Sequence, residues 1–372
     1  MGGLFGSSVS GVPDLNGDGL GDVIVVAENE QGGYLELARV YILDGATGRV
    51  LRQIYRPSGN LDTAFGAAVA GLADVNGDGL GDVVVGGHMA NYVYDGSNGG
   101  LLHTHESPNG GGGFGRNVGA ISDVNGDGRG DIIAGGVGEG PGWPPENAGR
   151  AYVFSGATGE VLFALVSPNE QKGGEFGGPV SSVPDLTGDG YDDVIVGATG
   201  EGPETALGEH AGRVYVFDGA NGSLLHTLLP PEEPKSAPFG SALSGIPDLT
   251  GDGKGDIAVS ASSWPQGTGK VYVFDGASGS LLLTLMSTNE SGRDYFGWSI
   301  CGLADVSGDG LGDLAVSDAE RGEAYVFDGV SGTVLHWFLA PQKTVMRGEG
   351  GAGSAGVLLR FLTQMATVER TW

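Results

Sequence analysis

Nine residues, Asp14-Leu15-Asn16-Gly17-Asp18-Gly19-Leu20-Gly21-Asp22, carry the plainest chemistry in this chain, and the pattern is written six times. The copies begin at Asp14, Asp74, Asp123, Asp185, Asp248 and Asp305. All have Asp at the first, fifth and ninth places, Gly at the fourth and sixth, and Asn, Thr or Ser at the third. Side-chain oxygens at the first, third, fifth and ninth places, with the backbone carbonyl of the seventh, make a set of hard donors suited to calcium. Gly at the sixth place permits the sharp turn such a loop needs. The candidate ligand sets are Asp14, Asn16, Asp18, Leu20 and Asp22; Asp74, Asn76, Asp78, Leu80 and Asp82; and Asp123, Asn125, Asp127, Arg129 and Asp131. Three more follow: Asp185, Thr187, Asp189, Tyr191 and Asp193; Asp248, Thr250, Asp252, Lys254 and Asp256; and Asp305, Ser307, Asp309, Leu311 and Asp313. Three carboxylates crowded into nine residues repel one another unless a dication lies between them. A solvated acidic turn is the alternative, since Asp and Gly are ordinary turn residues. One copy suits either reading; six copies favour about six structural Ca2+ ions.

The elements that must position these loops follow from period. Phe-Gly pairs at Phe5, Phe65, Phe114, Phe176, Phe239 and Phe296 each precede a first loop aspartate by nine residues. Small apolar segments such as Phe65 to Ala73 fill that interval and suit a strand near a crowded axis. After each loop comes a β-branched run, Val23 to Val26 or Val194 to Val196, that reads as a fully buried strand. A third strand such as Arg213 to Phe217 ends in a turn such as Asp275-Gly-Ala-Ser-Gly279, and a fourth such as Leu224 to Leu228 completes the unit. The fold class is therefore all-β: a β-propeller of six four-stranded antiparallel blades, with a calcium loop between strands one and two of each. A seventh blade in a longer parent chain is the alternative. Repeats fall at about 4–60, 61–110, 111–170, 171–235, 236–291 and 292–339, giving a propeller over 1–339 and a tail over 340–372.

Spacing also shows where the repeats differ. The link from the last loop aspartate to the third-strand Tyr is 19, 10, 21, 22, 16 or 12 residues long. In an antiparallel blade that link shares a face with the blade-to-blade connector, and the acidic loop shares the other with the turn between strands three and four. Binding is expected on the variable face, in Glu28 to Leu37, Glu139 to Asn147, Glu201 to His210 and Ser262 to Thr268. Candidate ligand contacts are Glu139, Trp143, Glu201, His210 and Trp264. Either Trp could equally cap a blade core.

Composition sets limits on partners. The 372 residues include 75 Gly and carry a net charge of −28, so a nucleic-acid partner is excluded by charge repulsion. Cys301 is the sole cysteine and reads as a small buried side chain. No apolar run is long enough to span a membrane. Met1 enters the first repeat within five residues, with no signal peptide, so the chain is either cytoplasmic or a piece of a longer protein. Weak calcium loops fill most readily outside cells, which favours an extracellular or cell-surface place. Arg129-Gly130-Asp131 spells an adhesion tripeptide, but both ends are loop ligands. His103, His226 and His336 share one strand-four position that other repeats fill with Arg52, Phe163 or Leu283, so they read as structural. Asn221-Gly-Ser and Asn289-Glu-Ser fit glycosylation acceptors.

Phe-Gly, the Asp-x-Asn-x-Asp-Gly-x-x-Asp loop and a β run ending Gly197-Ala198 resemble the FG-GAP repeat of integrin α-subunit propellers and of many bacterial secreted proteins. The resemblance covers about residues 4 to 339 and implies calcium at all six loops. It also implies ligand contacts on the opposite face. The literal Gly-Ala-Pro is absent, and integrin propellers have seven blades closed by a strand lent from the other terminus. Here each repeat owns four strands, so ring closure must come from packing, from the tail or from a further blade. The leading expectation is a non-catalytic, calcium-stabilised propeller that binds a protein or glycan. Its rivals are a polysaccharide-acting enzyme, whose acids would be Glu139, Glu201 and Glu204 with His210, and a purely structural repeat of a larger surface protein.

Overall fold

The computed structural model describes residues 4–28, 38–58, 62–110, 112–139, 146–203, 210–232, 238–262, 269–288 and 295–339. They form six four-stranded sheets, each running in sequence order from an inner to an outer strand, with antiparallel neighbours throughout. Blade one comprises Leu4–Val12, Asp22–Glu28, Arg39–Leu43 and Val50–Tyr55. Blade four comprises Phe176–Val183, Asp193–Ala198, Arg213–Phe217 and Leu224–Leu228.

The β-branched second strands are continuous rather than alternating because each is buried on both faces, one toward each neighbouring blade. Val83, Val84 and Val85 are all fully buried. The cores therefore lie between blades. One apolar cluster joins Ile133 and Val153 of blade three to Val194, Val196, Tyr215 and Phe217 of blade four, and similar clusters join the other consecutive pairs from blade one through blade six. Within each, the Phe of the Phe-Gly pair meets third-strand aromatics edge-on, as Phe176 meets Phe217 at 6.0 Å between ring centroids.

The Phe-Gly pair does more than start a strand. Phe176 pairs with Ala198 and Val180 with Val196, so four steps on the first strand face two on the second. The extra residues bulge toward the axis. Gly177 sits at φ +85° with the Arg150 carbonyl 2.1 Å from where a Cβ would stand, so conformation and space both require glycine. In blades two and five the strand begins only at Val69 and Leu243, leaving Phe65 and Phe239 in the turn ahead of it. Bulge residues from all six blades, among them Ser7, Ala67, Asn117, Pro179, Ser241 and Trp298, line an axial cavity of about 650 Å³.

Candidate metal centres and the opposite face

Every acidic loop lies between the first two strands of its blade, and backbone N–H groups shape it. The first aspartate accepts hydrogen bonds from both loop glycines, Gly17 and Gly19 in blade one and Gly188 and Gly190 in blade four, at 2.6–2.7 Å. Those glycines all stand at φ between +80° and +93°, which a side chain would strain. The donated N–H groups hold Asp14 and Asp305 below the usual carboxylate range; in Asp123, Asp185 and Asp248 they outweigh an opposing push from burial. The fifth aspartate accepts from the seventh residue's N–H, as Asp18 does from Leu20 at 2.8 Å and Asp189 from Tyr191 at 3.0 Å.

The ninth aspartate is different. Asp22, Asp82, Asp131, Asp193, Asp256 and Asp313 are all buried. One oxygen of each accepts from the second loop residue's N–H (Leu15, Val75, Val124, Leu186, Leu249, Val306) at 2.6–3.0 Å. The other accepts from the first Gly of the turn between strands three and four (Gly45, Gly96, Gly156, Gly219, Gly276, Gly329) at 2.9–3.0 Å. One carboxylate thus ties the loop, the second strand and the distant turn together, which also places loop and turn on one face. Burial pushes Asp82, Asp131, Asp193 and Asp256 up to about 6, against the lowering by those N–H donors.

The donor set is oxygen throughout, with carboxylates at three places, and its chemistry fits a hard dication. Among the described residues no three Asp, Glu, His or Cys side chains converge on one point as ligands of a metal would. Both the first and the ninth aspartate have their oxygens occupied by backbone N–H groups, as in Asp14 and Asp22. The second loop has a neighbour of its own: Arg129 Nη1 lies 2.9 Å from Asp74 Oδ2, bridging the loops of blades two and three. Arg129 is therefore engaged and Asp131 buried, so the tripeptide they flank is not presented.

The opposite face corrects part of the sequence reading. Glu139 and Glu201 are wholly buried, not displayed. Glu139 accepts hydrogen bonds from the hydroxyls of Tyr152 and Ser107, and Glu201 from that of Tyr215. Because Ser107 lies on a blade connector, that bond places the strand two–three link beside the connector. Glu323 takes the hydroxyl of Tyr325 in the same way, and Asp62 that of Tyr92 at 3.4 Å. A buried acid facing the invariant third-strand Tyr is a recurring joint that sequence reading missed. The signal available in blades three, four and six was an acid in the link preceding the Tyr, whereas Asp62 comes from the connector ahead of Phe65. His210 is half-buried with Nδ1 3.1 Å from the Gly202 carbonyl. Trp143, Trp264, Glu204 and Asn289 lie outside the described residues.

Comparison with known proteins agrees with this geometry. The FG-GAP repeat model matches residues 5–43, 176–217 and 239–274, and an FG-GAP-like repeat model matches 74–134. Human integrin alpha-11 is 35% identical over 191 residues, covering 45% of this chain and 16% of that protein. Drosophila melanogaster integrin alpha-PS5 is 31% identical over 217 residues, covering 55% of this chain and 21% of that protein. Xenopus laevis integrin alpha-4 is 26% identical over 179 residues, covering 46% and 17%. The matches thus span about a fifth or less of these relatives' length. A solved Dos1 propeller superposes with a TM-score of 0.53 at 16% identity, over 93% of this chain and 74% of that one, a likeness of fold alone. The chain is an integrin-α-like FG-GAP β-propeller.

Proposed function

We propose that this chain is a calcium-stabilised, non-catalytic binding propeller of an extracellular or cell-surface protein, presenting its strand two–three links to a protein or glycan. The observation that carries the reading is the division between faces. The six acidic loops repeat one another down to individual hydrogen bonds, and the length variation gathers on the opposite side. Adhesion by the integrin α relatives supports the same role. No helix among the described residues is long and apolar enough to cross a membrane.

The residues that would hold calcium are the first, third, fifth and ninth of each loop, with the seventh carbonyl. Bound there, the ion neutralises crowded carboxylates. The chain's own contribution is to keep the first aspartate ionised with N–H donors and to fix the loop's ends through the ninth. Of the acids nominated for the polysaccharide-acting alternative, Glu139 and Glu201 are buried against tyrosines, which favours the binding reading.

Binding is tested with glycan arrays and pull-downs, repeated after shortening 140–145 and 204–209 between their flanking residues. The proposal expects binding to fall while the melting temperature holds. Unchanged binding with both links shortened would overturn the assignment of the ligand face.

A further inference from the structure

Five blade-to-blade seams are built alike, and the seam between blade six and blade one is not. Phe5 is 48% exposed, whereas its five counterparts, Phe65 to Phe296, are 3% exposed or less. On the same side of blade one, Val23 and Leu43 are half-exposed where Val83, Ile132, Val194, Ile257 and Leu314, and likewise the aromatics Tyr94 to Phe327, are buried. Across the seam, Leu303, Val306 and Phe338 of blade six are half-exposed, though the matching residues of the other blades are buried.

Close approaches tell the same story. Gly96, Gly156, Gly219, Gly276 and Gly329 each lie against the second loop residue of the preceding blade, whose side chain comes within 2.5–3.4 Å of where a Cβ would stand. The atoms nearest Gly45, their counterpart in blade one, belong to its own Gly21 and Asp22. Gly11 has nothing within 4 Å, while Gly71 and Gly245 press on Val12 and Val183 of the blade before. Blade six instead buries Ala315 and Val326 against its own Cys301, Leu303, Val306 and Phe338.

We propose that the C-terminal segment fills this seam through its apolar run Val357–Leu362, closing the ring between blades six and one. The segment continues directly from the outer strand of blade six, Val334–Leu339, which borders the seam. The run follows its blade at a slightly longer interval than a first strand does, which leaves chain enough to reach back to the seam. In blades two, four, five and six the apolar first-strand residues come 21–24 residues after the preceding turn glycine, as Val69–Leu72 follow Gly48, and Val357–Leu362 come 25–30 after Gly332. Charge favours it too: Lys343, Arg347, Arg360 and Arg370 outnumber Glu349 and Glu369, against an otherwise acidic chain. A second copy, at −28, would meet repulsion that the tethered segment does not.

Cys301, the sole cysteine, lies on the blade-six side of the seam and serves as the probe. Full-length variants Leu358→Cys, Leu359→Cys and Phe361→Cys are oxidised mildly, one at a time, and run on non-reducing gels. In parallel, Cys301 alkylation is timed in the unmodified chain and in a Leu359→Asp/Phe361→Asp variant. The expected result is a monomeric, internally crosslinked species in at least one cysteine variant, and alkylation about tenfold faster once the run is charged. Equal alkylation rates with no internal crosslink would overturn the proposal. Disulfide-linked dimers as the sole crosslinked product would overturn it in favour of a second copy.

Discussion

Removing the Asp193 carboxylate strands two backbone N–H groups, those of Leu186 and Gly219, where water does not reach. A buried donor left without an acceptor costs about 1–3 kcal/mol, so Asp193→Ala is expected to lower stability by about 2–4 kcal/mol even in EDTA. Asp189→Asn, at the exposed fifth place, is expected to alter the response to calcium and leave the EDTA melt unchanged. Calorimetry of both variants with and without metal checks this, and an Asp193→Ala melt equal to wild type in EDTA would sink the clamp. A second residue-scale case is His105, whose Nδ1 lies 2.7 Å from Asn91 Oδ1 while its Nε2 and the Asn91 Nδ2 are buried without partners. Burial, with His103 adding to it, pushes its pKa down to about 4. The unfolded chain therefore binds the extra proton between pH 6.5 and 4, and stability present above that window is lost as pH falls through it, by about 3 kcal/mol at most. Blades one, four and five place Val40–Ile54, Val214–Leu228 and Val271–Leu285 at this pair. Asn91→Val/His105→Leu is expected to raise stability by about 1–3 kcal/mol and to flatten the acid limb of a melting-versus-pH curve. Nothing in the sequence marked His105, because its repeat counterparts are apolar and a lone His there carries no motif.

At the scale of the element, strands, turns and loop positions were legible because six copies impose a period that a single copy would not. Side-chain direction was not. Glu139 and Glu201 open variable links, which suggested display; the Tyr152 and Tyr215 hydroxyls on the adjacent strand draw both inward instead. Period two on a strand fixes which face a residue takes, and no comparable rule fixes the first residue of an irregular link. Tyr215→Phe leaves the Glu201 carboxylate buried without its hydroxyl donor and is expected to cost about 2–3 kcal/mol, read as a lower denaturation midpoint at unchanged slope. A loss near zero would mean that the joint contributes packing alone.

Over the whole molecule, the ring's count and polarity followed from spacing, while its closure did not. The distance from turn glycine to the next Phe says that blades follow one another; whether the last meets the first depends on contacts between residues some 300 apart, which no local period encodes. The exposure of Phe5 and Phe338 shows where that question is decided. The six loops likewise set the chain's charge. With 18 loop aspartates in a chain of net charge −28, folding gathers negative charge on one face, and bound dications would relieve it. The central claim is that those loops are calcium clamps holding the first two strands of each blade. Its most direct test is the metal content of the purified chain, taken together with its melting temperature in EDTA and in millimolar calcium. The account predicts about six calcium ions per chain and a marked upward shift of the melt on adding calcium; a chain that binds none and melts at the same temperature in both would contradict it.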